Sequence, residues 1–159
     1  MRRGLPKLES VALAPIVRTI LEAQEQMLSS HSLATELQLP EDLVVQGDAF
    51  LLHLALSNLL KNAIEFSPAG GLIRVHGERS GSLVRVVIED EGPGIPDFAK
   101  ERIFERFYSL ERPVTGRKST GLGLNFVKEI ASLHHGSVEL ENRTERGLKA
   151  SFTIADAPV

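Results

Sequence analysis

The sequence has no cysteine and no tryptophan. Without Cys there are no disulfide staples, and a chain of 159 residues needs none, since it can bury roughly 70% of its unfolded surface in one core. No apolar run approaches the ~18–20 residues that cross a bilayer as a helix. Behind Met1-Arg2-Arg3-Gly4 there is no apolar stretch of the kind a secretory leader carries. Basic charge is not in excess: the net charge is −3 and the pI about 6.0, which gives no broad positive field for nucleic acid. Repeats and low-complexity tracts are also missing. What remains is an ordinary globular composition, 42% hydrophobic and 25% charged, and one domain is expected.

The pattern alternates helix and strand. Ile16, Ile20, Ala23 and Met27 recur every three or four residues and predict a helix from Pro15 to about Ser29. Ser32 to Leu39 alternates and predicts a half-buried strand. Asp48 is a good N-cap for a Leu-rich helix from Ala49 to Phe66, stopped by Ser67-Pro68-Ala69-Gly70-Gly71. Two strands around Ser80-Gly81-Ser82 follow, Leu72–Glu78 and Leu83–Glu89. A short helix is expected near Asp97 to Phe104. Residues 108–120 read as an irregular basic loop. A helix from Leu122 to Leu133 ends at Gly136. Strands at Ser137–Glu141 and Lys149–Ile154 close the chain around the turn Asn142 to Gly147. This order predicts an α/β two-layer sandwich, with helices on one face of a mixed, mainly antiparallel sheet.

Three segments could carry chemistry. Asn58 and Asn62 lie four apart, on one face of their helix. They are either two solvent-side amides or a pair of oxygens aimed at a hard cation such as Mg²⁺. Asp90-x-Gly92-x-Gly94 follows a strand directly. It is either a Pro-Gly turn or an acceptor beside a backbone that a ligand can approach. Gly121-Leu122-Gly123-Leu124 opens a helix. It is either a hinge or an anion site of bare N–H groups, with Arg117 and Lys118 just upstream.

Other motifs fail. Gly116-Arg117-Lys118-Ser119-Thr120 lacks the glycine spacing of a phosphate loop, and Asp97 stands where a dinucleotide fingerprint needs its third Gly. Histidines 31, 53, 76, 134 and 135 do not form a metal spacing with a third ligand and read as structural or solvent residues.

In order and spacing, Asn58-x-x-x-Asn62-Ala63, Asp90-x-Gly92-x-Gly94, Phe104-Glu105-Arg106-Phe107 and Gly121-Leu122-Gly123-Leu124 resemble four conserved boxes of sensor histidine kinase catalytic domains. These are its asparagine, first glycine, phenylalanine and second glycine boxes. The resemblance runs from Leu8 onward and implies the Bergerat (GHKL) ATP-binding fold. It implies that Asp90 binds the adenine amino group, with Gly92, Gly94 and Ile95 on the adenine side. Asn62 would hold Mg²⁺ with Asn58 near the phosphates. Gly121 and Gly123 would offer N–H groups to the phosphates, and Thr120, Leu122 and Leu124 complete the implied ATP contacts. Arg117 or Lys118 would approach the γ-phosphate, and Phe104 and Phe107 would anchor a mobile lid at about 108–120.

The implied reaction moves the ATP γ-phosphoryl group to a histidine on a dimerisation domain, for relay to a response regulator. Relatives that hydrolyse ATP carry a Glu base at the position of Asn58, and an amide cannot take a proton from water. Three positions depart from the family pattern: Glu65 for a basic residue, Ser119 for a Gly, and Glu91 for a small or amide residue. No His here sits in the family's acceptor context. Residues 1–8 are therefore expected to be a linker or the tail of dimerisation helices, 9–157 the catalytic domain, and the chain alone unable to phosphorylate itself. The resemblance further implies a monomeric isolated domain, a homodimeric full protein, and a location on the cytoplasmic side of an inner membrane. Three alternatives stay open on the same fold: a hydrolysing ATPase, a nucleotide-sensing or adaptor module without transfer activity, and a serine kinase of the anti-sigma-factor type.

Overall fold

The structure, a computed structural model, describes residues 8–105 and 123–155. Its backbone is a five-stranded sheet in the order β2-β4-β5-β7-β6, with a separate two-stranded sheet of β1 and β3. The strands are β1 (Glu9–Ala12), β2 (Ala34–Gln38), β3 (Val44–Gly47), β4 (Leu72–Ser80), β5 (Leu83–Glu89), β6 (Ser137–Asn142) and β7 (Leu148–Ala155). The helices are α1 (Leu13–Ala23), α2 (Glu25–Ser30), α3 (Ala49–Phe66) and α4 (Gly123–Leu133). β2 and β4 are parallel, joined by a crossover through α3, which parallel strands require. The other pairs are antiparallel, so the sheet is mixed as expected.

Register separates the sheet's faces. Val75, Ile88 and Ala150 stand in one row, and Val86, Phe152 and Val138 in another. All are buried in a core with Leu52, Leu56, Leu60 and Ile64 of α3 and Val127 and Ile130 of α4. Truncating a fully buried residue such as Leu56 to Ala costs about 2–5 kcal/mol. The opposite face is polar, and one row across it alternates in sign through all five strands: Glu36, Arg74, Glu89, Lys149 and Glu141. Arg74 Nε lies 3.2 Å from Glu36 Oε2, and Lys149 Nζ 3.8 Å from Glu141 Oε1.

Four expectations change. The first helix begins at Leu13 and breaks at Gln24 into α1 and α2. Its buried face is Leu13, Ala14, Val17 and Ile20, while Met27 is exposed. β1 and β3 have no counterpart in the sequence reading. Only one 3-10 turn, Asp97–Ala99, forms where a short helix was expected. The end of α4 is a Schellman motif, with Gly136 N–H bonded to Ala131 O and His135 N–H to Ser132 O. Its left-handed residue is His135, φ 58, whereas Gly136 is required because a Cβ there would sit 1.7 Å from Thr153 O.

α3 matches its predicted bounds. Asp48 Oδ1 accepts from Leu51 N–H at 3.0 Å, the expected N-cap. The backbone N–H of Asp48 donates to His134 Nε2 at 3.1 Å, and His134 Nδ1 faces Ile130 O at 2.8 Å. These partners assign the neutral tautomer protonated on Nδ1, because Nε2 must accept. His134 is 2% exposed, and burial first of all pushes its pKa below 6.5. The Ile130 carbonyl and the Asp48 carboxylate oppose that push, and His135 adds to it. Above pH 6.5 His134 is neutral in both folded and unfolded chains. Below it the unfolded chain takes up a proton that the native ring refuses, so this contribution is lost as pH falls. We expect the stability difference between the wild-type chain and His134→Gln to shrink between pH 7.5 and 5.5 in urea titrations. A constant difference across that range would exclude the lowered pKa.

Candidate functional site

α3 carries the site along one face. Asn58, Asn62 and Phe66 stand at i, i+4 and i+8 and therefore line up, over about 12 Å of helix rise. Both Asn residues are half-buried. Asn58 meets the start of α4: a Cβ on Gly123 would lie 3.6 Å from Asn58 Cγ. At the far end, a Cβ on Gly92 would lie 2.4 Å from Phe66 O. Only glycine permits this approach. The structure thus ties two of the predicted segments, 90–94 and the one containing Gly123, to the helix that carries the third, at Phe66 and at Asn58.

Asp90 follows the last residue of β5, and its own N–H still pairs with Leu148 O at 3.0 Å. The residue is 4% exposed. Its Oδ1 accepts from Gly92 N–H at 2.9 Å and from Leu148 N–H at 3.2 Å. Desolvation by burial raises its pKa above 3.8; the two N–H groups and the Arg143 charge oppose that, and Glu91 adds to it. A raised carboxyl pKa gives stability that is complete below pH 3.8 and lost as pH climbs through the folded value. Once ionised, the buried group therefore weakens the fold. A dry carboxylate held at such a cost is a strong acceptor for a ligand donor.

Sequence reasoning missed the residues that hold this segment. Asn142 Oδ1 accepts from Ile95 N–H at 2.7 Å and its Nδ2 donates to Ile95 O at 2.9 Å. Arg143 Nη1 donates to Asp90 O at 2.9 Å, and Arg146 Nε to Glu91 O at 3.0 Å. Gly147, φ 112, lies so close to Asp90 that a Cβ would fall 1.8 Å from its carbonyl oxygen. The only sequence signal for this group was the polar turn before Gly147. Glu91, a departure from the family pattern, has a structural role: its Oε1 accepts from Leu72 N–H at 2.8 Å at the start of β4.

Ile95, Ala99 and Ile103 form a second, small apolar cluster against Phe104, Leu124, Leu140 and Leu148, which brings together the predicted site residues Ile95, Phe104 and Leu124. Lys128 Nζ stands 5.7 Å from the Phe104 ring centroid, and Asn125 Nδ2 donates to Phe104 O at 3.2 Å. Gly94, φ 78, packs against the Asn142 amide. Phe107, Arg117, Lys118, Thr120, Gly121, Leu122 and the lid expected at 108–120 lie outside the described residues.

The family model for histidine kinase-, DNA gyrase B- and HSP90-like ATPases matches residues 47–158. The chain belongs to this family. It is 42% identical over 147 residues to the sensor protein CreC of Escherichia coli K12, covering 92% of the chain and 31% of CreC. To the sensor-like histidine kinase SenX3 of Mycobacterium tuberculosis H37Rv it is 32% identical over 154 residues, covering 95% and 37%. It therefore spans about a third of the length of these relatives. The nucleotide-free catalytic domain of histidine kinase ThkA superposes with a TM-score of 0.85 at 30% identity, covering 96% of the chain and 99% of that domain. The mycobacterial sensor histidine kinase MprB does so with a TM-score of 0.82 at 27% identity, covering 96% and 100%. The chain is a catalytic ATP-binding domain of the sensor histidine kinase type.

The close approach at Gly147 yields a test. Gly147→Ala should destabilise the domain by about 2–5 kcal/mol, combining overpacking with an unfavourable positive φ. At Gly81, φ 62, a Cβ meets nothing within 4 Å, so Gly81→Ala should cost only about 1–2 kcal/mol. Urea unfolding of both variants checks this, and equal losses would contradict the Asp90–Gly147 contact.

Proposed function

We propose that this domain binds ATP with Mg²⁺ and delivers the γ-phosphoryl group to a histidine on a separate dimerisation domain, for relay to a response regulator. The observation that carries the proposal is Asp90, a buried carboxylate at the end of β5, on a loop seated against the helix that bears Asn58 and Asn62. Its chemistry fits an exocyclic amino group: it offers a dry acceptor, and nucleobase amines donate. Gly92, Gly94 and Ile95 would flank the base.

Asn62 would hold Mg²⁺, with Asn58 nearer the phosphates. Their neutral amide oxygens suit a hard cation, which when bound would offset charge across the phosphates. The start of α4 at Gly123 fits phosphate oxygens, because N–H groups and the helix dipole converge there. We assign Thr120, Gly121, Leu122 and Leu124 to the same contacts, Arg117 and Lys118 to the γ-phosphate, and Phe104 and Phe107 to anchoring a lid at about 108–120. These assignments follow the family resemblance.

Asn58 supports transfer over hydrolysis, since its amide is not a base for water. With no acceptor histidine of its own, the domain, residues 9–157, would act on a partner domain. ThkA has been solved in complex with the response regulator TrrA, which supports the same onward partner here. No described helix is long and apolar enough to cross a membrane. We place the full protein, a homodimer, in the inner membrane with this domain on the cytoplasmic side; the isolated domain would be monomeric.

Calorimetric titration of ATP, with and without Mg²⁺, tests the reading. One-site binding is expected. Asp90→Ala should weaken it at least about tenfold, the size of one charge-assisted hydrogen bond, and Asn62→Ala should remove the dependence on Mg²⁺. Incubated alone with γ-labelled ATP, the domain should acquire no acid-labile label. Absence of binding at millimolar ATP would favour a non-catalytic adaptor module on the same fold, and label on the domain would refute the need for a separate acceptor.

A further inference from the structure

We propose that the turn Asn142–Gly147 is the specificity clamp of the base pocket, and that Arg143 is the positioning residue that aims the Asp90 carboxylate at a purine amino group. The proposal rests on the reading of Asp90 as the base acceptor and deepens it.

The turn holds the segment 90–95 at both ends. On one side Arg143 Nη1 donates to Asp90 O at 2.9 Å and Arg146 Nε to Glu91 O at 3.0 Å. On the other, the Asn142 amide makes both of its bonds to the backbone of Ile95. Between these anchors lies the loop Gly92–Gly94, which turns back against Phe66 O. A loop tied only by its own backbone could pivot about Asp90. Here the carbonyl and Oδ1 of Asp90 are both fixed from the β6–β7 side, by Arg143 and by Leu148 N–H. Since Oδ1 takes the bonds from both Gly92 N–H and Leu148 N–H, the orientation of Oδ2 follows from that fixing.

Arg143 is itself held in place. Besides Asp90 O, its Nη1 reaches Arg146 O at 3.2 Å, and its Nε lies 3.7 Å from Glu89 Oε2. The other oxygen of Glu89 lies 3.3 Å from His76 Nε2, and the backbone of Arg143 donates to Gly147 O at 2.8 Å. A planar guanidinium serves several acceptors at fixed angles, which a flexible ammonium cannot. Its charge also opposes the burial that would protonate Asp90. Arg143 thus acts on orientation and on charge together, without touching the base.

This separates recognition of the amino group from binding of the phosphates, which the same reading assigns to the meeting of Asn58 and Gly123, midway along α3. A residue that only supported the fold would weaken every nucleotide alike. A residue that aims Asp90 should weaken only those that offer it a donor.

The experiment measures the affinity of the 159-residue chain for ATP and for purine riboside triphosphate, which lacks the amino group, in wild type, Arg143→Gln, Arg143→Lys and Asp90→Ala. In Arg143→Gln the preference for ATP over the purine nucleotide should fall about tenfold, the size of one charge-assisted hydrogen bond, with purine nucleotide affinity nearly unchanged. Arg143→Lys keeps the charge and should fall between the two. If Asp90→Ala destroys the preference while both Arg143 variants keep it, or if they weaken both nucleotides equally, the clamp is overturned and the base reading stands. If Asp90→Ala itself keeps the preference, the base reading fails instead. Should Arg143→Gln not fold, the preference of Arg143→Lys decides alone.

Discussion

A carboxylate held out of water has to be surrounded by donors that stay where they are, because each lost donor leaves charge uncompensated in a poor dielectric. Asp90 meets this condition with two backbone N–H groups at Oδ1 and a guanidinium at its carbonyl. None of these donors is local luck. Leu148 is in reach only because β7 pairs with β5 in one register. Gly92 is in reach only because its loop presses on the last turn of α3. Arg143 is in reach only because Gly147 lets the β6–β7 turn lie against Asp90. The sheet order, the end of α3 and the shape of one turn are all implicated in a single side chain.

α3 serves as the common reference for the site. It is capped by Asp48 and ends at Ser67, whose hydroxyl bonds back to Ala63 O at 2.6 Å. Within those limits it sets the separation between the Asp90 loop and the start of α4. α4 is fixed to it a second time by His134, which receives the Asp48 N–H. The two helices are thus joined near Asn58 at one end of α4 and at the α3 N-cap by the other, which leaves little freedom for one to slide past the other.

Much of this was legible in the sequence because the signals were local. An N-cap, a long Leu pattern and a Pro-Gly stop bounded α3 to the residue, and the turns at Ser80-Gly81-Ser82 and Asn142–Gly147 bounded the β4–β5 and β6–β7 pairs closely. β1 and β3 were not legible: each has four residues, and what makes them strands is pairing across more than thirty positions. The break at Gln24 has neither Gly nor Pro to announce it. In the site, Asn58, Asn62, Asp90 and the glycines could be read because their residue types suggest chemistry. Asn142, Arg143 and Arg146 could not, since they act on the backbone of distant residues and any polar turn has such a composition. His135 is the converse case. The glycine beside it drew the reading, but that glycine answers to Thr153.

The alternating charge row on the open face of the sheet has its own consequence. Burial of the apolar face forbids a slip of one residue between strands, because it would turn the core outward. A slip of two residues keeps every apolar side chain inward and is invisible to the core. It is not invisible to the row: moving β4, β5 or β7 by two positions takes Arg74, Glu89 or Lys149 from between neighbours of opposite sign. Exposed pairs such as Arg74–Glu36 add little to stability, yet they discriminate among registers that the core treats as equal. The register that puts Leu148 beside Asp90 is thereby chosen over its nearest competitors by residues on the far side of the sheet from the helices.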